Sequence, residues 1–173
     1  MSVYMIADTH FGDDAIRRYE NRPFSDVKSM DQTMIDRWNR TVTPADTVYL
    51  LGDFCVKGRE EALLSVLNGN IILVKGNHDT LSDEAYRAFG FAKVYDLPVL
   101  YANFWLLSHE PLYVNENMPY ANVFGHVHAS PQYKDLSRQH FCVSAERIDY
   151  TPVAFDEIVK RVQAAAEKEK RVQ

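Results

Sequence analysis

Five of the chain's six histidines lie in short polar clusters, and a further cluster supplies a lone carboxylate. The clusters read Asp8-Thr9-His10, Gly52-Asp53, Gly76-Asn77-His78-Asp79, His109-Glu110-Pro111 and Gly125-His126-Val127-His128, while His140 stands apart. One isolated histidine asks for no more than a satisfied core or surface position. Five of them beside Asp8, Asp53 and Asn77 form a donor set of imidazole, carboxylate and amide oxygen. That mixture suits first-row transition metals such as Mn, Fe, Zn, Ni or Co rather than Ca or Mg alone. The donors are spread along the chain, so they converge only if the fold aligns the segments that carry them.

Those segments are short and apolar. Residues 3–7, 48–51, 71–75, 104–108 and 121–124 each run straight into one of the polar clusters, and their β-branched, aromatic and leucine content reads as buried strand. Helical stretches lie between them. Ser25 is the expected N-cap of a helix to about Asn39, with Val27, Met30, Met34, Ile35 and Trp38 on one side. Residues 59–67 carry Ala62, Leu63, Val66 and Leu67 at helical spacing, and residues 82–89 form a shorter helix ending at Gly90. A last helix begins near Phe155-Asp156 and frays beyond Glu167, leaving a tail at 168–173. No repeat or Pro/Gly-rich linker interrupts residues 1–173, which implies one domain of helix-covered sheets. The polar clusters then sit at strand C-termini, where open sheets place their ligands.

A length of 173 residues with 46% hydrophobic and 25% charged residues suffices for a full core. The apolar runs are too short to span a bilayer, and the N-terminus lacks a basic region followed by a long apolar one, so the expectation is a cytoplasmic protein without membrane contact. Cys55 and Cys142 read as buried free thiols. A net charge of −5 argues against broad nonspecific binding to DNA or RNA. It leaves room for a phosphorylated substrate, because two bound divalent cations would add about four positive charges to the pocket.

The ordered clusters resemble the motif series of the calcineurin-like metallophosphoesterase superfamily, and the resemblance spans essentially the whole chain. That series is Asp-x-His, Gly-Asp, Gly-Asn-His-Asp/Glu, a single His, and Gly-His-x-His, and every block is present in order. The resemblance implies an α/β fold, a four-layer αββα sandwich of two mixed sheets flanked by helices. It implies that Asp8, His10, Asp53 and His128 hold one metal and that Asp53, Asn77, His109 and His126 hold another, with Asp53 bridging. Mn is the first expectation for both sites. A hydroxide shared by the two ions would attack phosphorus in line, and His78 would protonate the leaving oxygen as general acid. The alternatives for His78 are a further ligand or a residue behind the ligands. Asp79 either orients the His78 ring or caps the helix that follows.

Protein serine/threonine phosphatases of this superfamily carry Gly-Asp-x-Val-Asp-Arg-Gly at the second block. Here it reads Gly52-Asp53-Phe54-Cys55-Val56-Lys57-Gly58. Val56 replaces the acid that supports the catalytic histidine, and Lys57 replaces an arginine whose bidentate fork a lysine does not reproduce. That counts against a phosphoprotein substrate. Arg17, Arg18 and Arg22 offer a phosphate clamp or an exposed face, and Tyr113, Tyr120 and Tyr133 offer base stacking or rim packing. The resulting expectation is hydrolysis of small phosphomonoesters or phosphodiesters, nucleotides among them, at an open pocket without an extended nucleic-acid surface. The alternatives are a nuclease and a non-catalytic binding scaffold of the same fold.

Overall fold

The computed structural model of the chain describes the backbone of residues 1–172 and the side chains through Glu169. Strands β1 (Val3–Ile6), β2 (Thr47–Leu50), β3 (Asn70–Val74) and β4 (Lys93–Tyr95) pair in parallel. A short β9 (Val153–Ala154) adds antiparallel to β1, so the sheet order is β4-β3-β2-β1-β9. The second sheet has the order β5-β6-β7-β8, built from Val99–Tyr101, Trp105–Leu107, Ala121–Phe124 and His140–Cys142. In it β6, β7 and β8 are parallel, and β5 is antiparallel to β6. These are the two mixed sheets with flanking helices that the sequence implied.

Alternation of side chains along each strand divides the apolar residues between two layers. A short α1 (Asp14–Tyr19) precedes α2 (Val27–Thr41), and on one face of the first sheet Ile6, Val48, Leu50, Ile71 and Leu73 pack under α2, α3 (Glu60–Leu64) and α4 (Asp83–Phe89). Met30, Met34 and Trp38 of α2 point into this layer and are almost fully buried. The other face carries Met5, Ala7 and Val74 into a layer shared with Leu107, Ala121, Val123 and Phe141 of the second sheet. Ile158 and Val162 of α5 (Phe155–Val172) complete that layer, and α5 lies against β1, β9 and β8. Each such buried aliphatic or aromatic side chain contributes about 1.5–3 kcal/mol. Both layers hold the strand ends in one register, and the polar clusters inherit it.

Helix ends differ in detail from the sequence reading. Asp26, not Ser25, caps α2: its carboxylate accepts the Ser29 amide at 2.7 Å, while the Ser25 hydroxyl turns to Asp26 itself. A carboxylate at the N-cap also faces the positive end of the helix dipole, which favours it over the neighbouring hydroxyl. The helix expected at 59–67 stops at Leu64; Leu67 stays buried, while Val66 is 49% exposed. The helix expected at 82–89 is α4, with Ser82 as its N-cap, accepting the Ala85 amide, and Gly90 at its end. The expected frayed tail at 168–173 falls in part outside the described residues. Both cysteines are free, Cys142 buried and Cys55 partly so. No helix among the described residues is long and apolar enough to cross a membrane.

Candidate metal centre

Pairing continues past the strands into the polar loops. The Asp8 amide donates to Gly52 O at 3.0 Å, the His10 amide to Asp53 O at 3.0 Å and the Phe11 amide to Phe54 O at 2.9 Å. This brings Asp8, His10 and Asp53 side by side above β1 and β2. The second sheet is tied to the same point, since the His126 amide donates to Asp8 Oδ2 at 2.8 Å. Five of the seven candidate ligands have left-handed backbone: Asp8 (φ 57°), His10 (47°), Asp53 (56°), His126 (67°) and His128 (46°). Such residues cost about 1–3 kcal/mol each and persist where the surroundings over-determine them. Their concentration here is a mark of function rather than of turn chemistry.

One carboxylate oxygen lies between the two ligand sets. Asp53 Oδ2 is 3.4 Å from His10 Nε2 and 3.4 Å from His109 Nε2. Asn77 Oδ1 is 3.0 Å from His109 Nε2 and 3.1 Å from His126 Nδ1, and those two nitrogens are 3.1 Å apart. Donor atoms about 2.0–2.1 Å from a common ion at tetrahedral or octahedral angles lie about 2.8–3.4 Å from each other. The tautomers fit as well. His109 Nδ1 faces the Leu51 carbonyl at 2.9 Å, which only accepts, so Nδ1 carries the proton and Nε2 presents a lone pair to the Asn77 oxygen. A cation fits between two acceptors at that separation, in the place that a proton on His126 Nδ1 takes without one.

On the other side, Asp8, His10 and His128 place one potential ligand atom each within 4.8 Å of one another. The rings of His10 and His128 stack at 5.2 Å. Buried His10 Nε2 has no hydrogen-bond partner among the described residues. A buried acceptor is seldom left unpaired, and a metal ion is the partner this donor set fits. Burial raises the Asp53 carboxyl, but the facing imidazoles of His10 and His109 and the His78 amide outweigh it and bring the pKa down to about 2. Asp8 goes the other way: complete burial holds its pKa up against the pull of His128 and His109. A cation would offset that burial.

Glycine makes the close approach possible. A Cβ on Gly76 would collide with Asp53 Oδ1 and lie 2.8 Å from both Asp53 N and His109 Cε1. At Gly52, where φ is +85°, it would strike His109 Nδ1 and lie 2.6 Å from the Gly76 amide. The Gly-Asp and Gly-Asn-His motifs thus have a steric cause.

His78 is exposed, with its ring 5.2 Å from that of His10 and its amide donating to Asp53 Oδ1 at 2.9 Å. Asp79 is buried, and its carboxylate accepts the amides of Asp53 at 2.7 Å, Gly76 at 2.9 Å and Phe54 at 3.2 Å. Burial raises its pKa against those amides. Its hydrogen bonds therefore join the second and third motifs, and the cap of α4 is Ser82. Lys57 is exposed. Arg18 is 69% exposed and Arg17 pairs with Asp14, whereas Arg22 is buried and bonds Glu146 at 2.7 Å. Glu146 also faces His128 Nδ1 at 3.0 Å. In the sequence Arg22 reads as a clamp or a surface residue, and Glu146 carries no signal. Neither belongs to a motif, and their partnership crosses 124 residues of sequence.

The family model of the calcineurin-like phosphoesterases matches residues 1–161. The chain belongs to that family. An uncharacterized protein of Methanocaldococcus jannaschii is 35% identical over 176 aligned residues, covering 93% of this chain and 91% of that protein. Among solved structures, a protein of unknown function from Aquifex aeolicus is similar over 92% of this chain and 98% of its own, with a TM-score of 0.68 and 27% identity. A nuclease from Pseudomonas putida shares the fold over 73% of this chain and 61% of its own, with a TM-score of 0.50 and 22% identity. Membership makes this phosphoesterase a hydrolase and implies divalent metal ions. The convergent Asp and His groups are residues able to hold them.

Proposed function

We propose that this phosphoesterase uses a dinuclear centre to hydrolyse small phosphate esters, with His78 donating the proton to the leaving oxygen. The observation that carries the reading is the single Asp53 oxygen 3.4 Å from an imidazole nitrogen of each ligand set. Two divalent cations, Mn first among Mn, Fe, Zn, Ni and Co, would activate water and offset charge on the phosphoryl oxygens when held by Asp8, His10, Asp53 and His128 and by Asp53, Asn77, His109 and His126. The chain's own contribution is to hold these donors ready. The amides of Asp53 and Gly76 are fixed by Asp79, and the ring of His109 is fixed by the Leu51 carbonyl.

His78 suits a proton donor because its exposed ring stands beside His10 while its backbone is tied to Asp53. Proton donation of this kind contributes about 10²–10⁴-fold. The net charge of −5 favours a small ester in a cytoplasmic setting over a long polyanion. The fold shared with a Pseudomonas putida nuclease motivates the comparison with nucleic acid. The test is activity of metal-loaded protein on monoesters, diesters, cyclic nucleotides and oligonucleotides side by side. Turnover of a small diester such as bis-nitrophenyl phosphate, or of a cyclic nucleotide, well above that of duplex DNA is expected. Efficient cutting of oligonucleotides with negligible action on small esters would reverse the assignment.

A further inference from the structure

Behind His128 lies a carboxylate within hydrogen-bond distance, whereas the carboxylates of Asp13 and Asp8 stand 3.9 Å from Nδ1 of His10 and His109. Glu146 sits in the 3₁₀ turn Ala145–Ile148, and its Oε1 faces His128 Nδ1 at 3.0 Å. The same oxygen accepts from Arg22 Nε at 2.8 Å and lies 2.7 Å from Arg22 Nη2. The Arg22 guanidinium has no exposed surface, and the Glu146 side chain is 5% exposed. Arg22 also donates to the carbonyls of Asp8 at 2.7 Å and Thr9 at 2.9 Å. The next residue, Arg147, grips the loop itself, donating to the carbonyls of His128, Ser130 and Tyr133.

The consequences are chemical as well as steric. A carboxylate opposite Nδ1 fixes the proton there and leaves Nε2 of His128 as a lone pair toward Asp8 and His10. Through Arg22 the same carboxylate is rigidly joined to the backbone that carries Asp8 and His10. On the opposite side, His109 Nδ1 bonds the neutral Leu51 carbonyl at 2.9 Å, and the Asp8 carboxylate stands 3.9 Å away, beyond hydrogen-bond reach. Charge-assisted bonds are stronger and raise the basicity of the imidazole they hold more than a carbonyl does.

We propose that Glu146, held by Arg22, is the positioning residue of the Asp8–His10–His128 half of the centre, and that its removal weakens that half alone. This rests on the dinuclear reading above. The expected effect is a 10–100-fold loss of affinity at one site with the other unchanged.

The experiment is equilibrium dialysis against Mn²⁺ or Zn²⁺ followed by elemental analysis, on wild type, Glu146→Gln, Glu146→Ala, and Glu146→Gln combined with either Asn77→Ala or Asp8→Asn. Wild type should bind two ions per chain and Glu146→Gln one tightly and one weakly. Adding Asp8→Asn should leave the tight site, and adding Asn77→Ala should remove it. Gln keeps the shape and can still accept from Arg22, so a cooperative melting transition well above the dialysis temperature, even at a lowered midpoint, separates a positioning effect from misfolding; Glu146→Ala is interpreted only with such a curve. Two ions bound by Glu146→Gln with wild-type affinities, or equal weakening of both, overturns the inference while the dinuclear reading stands. Fewer than two ions in wild type overturns both.

Discussion

The amide of His78 donates to Oδ1 of Asp53, while Oδ2 of the same carboxylate faces His10 and His109. The proposed proton donor and the proposed bridging ligand are therefore held by one group, and a change at either side chain can be read separately. His78→Ala removes the ring but keeps the amide. Metal content should stay at the wild-type level, and the chemical step should slow by about 10²–10⁴. The deficit should shrink for nitrophenyl esters, whose leaving groups hardly need a proton. Equal losses with nitrophenyl and alkyl esters, measured in single turnovers, would assign His78 to binding instead.

Gly76→Ala tests the steric basis of the Gly-Asn-His motif. The added methyl has no room beside Asp53 and His109. Overpacking of this kind costs about 1–3 kcal/mol. The expected outcome is a lower urea midpoint in the metal-free protein together with loss of bound metal. An unchanged midpoint and full metal content would show that the loop yields freely.

Arg22 and Glu146 form a buried ion pair, so removing one partner strands the other. Arg22→Met should destabilise the fold by about 3–5 kcal/mol, read from urea unfolding. A loss below about 1 kcal/mol, the range of exposed pairs, would contradict the burial of this pair.

Stability should also depend on Asp46, which lies far from the motifs in sequence role. Its carboxylate accepts the Ser2 amide at 2.6 Å and the Thr43 hydroxyl and amide at 2.7 and 2.9 Å, which together hold its pKa at about 2 against a usual value of 3.8. A depressed pKa means that the contribution is complete above 3.8 and disappears as pH falls toward about 2. Wild type should therefore exceed Asp46→Asn in urea midpoint at pH 7, with the gap closing below pH 3.8. A gap that is constant down to the acid limit would mean that the hydrogen bonds do not depend on the charge.

Much of this was readable from sequence, for local reasons. Each motif is contiguous and follows a run of apolar residues, so the place of Asp8, His10, Asp53, Asn77, His109, His126 and His128 at strand ends can be read from the sequence. Gly90 marks the end of α4 for the same reason, a stop directly after the last helical residue, whereas the cap at Ser82 is seen only in the structure. Strands of two or three residues, such as β4 and β9, leave no periodicity to detect. Glu146 and Arg22 could not be found because their meaning lies in a contact between irregular segments. Asp79 was legible as part of a motif, but its work, taking three backbone amides, depends on how two loops meet.

The most direct measurement is the metal content of Asp53→Asn purified alongside His128→Ala and Asn77→Ala. If one oxygen of Asp53 serves both ligand sets, the Asn variant should lose affinity at both sites, whereas each of the others retains one ion. Elemental analysis after dialysis against Mn²⁺ reads the outcome as ions per chain. Near-complete loss in Asp53→Asn with about one ion left in each of the other two is the predicted result. Two ions retained by Asp53→Asn would contradict a shared carboxylate and with it the dinuclear account.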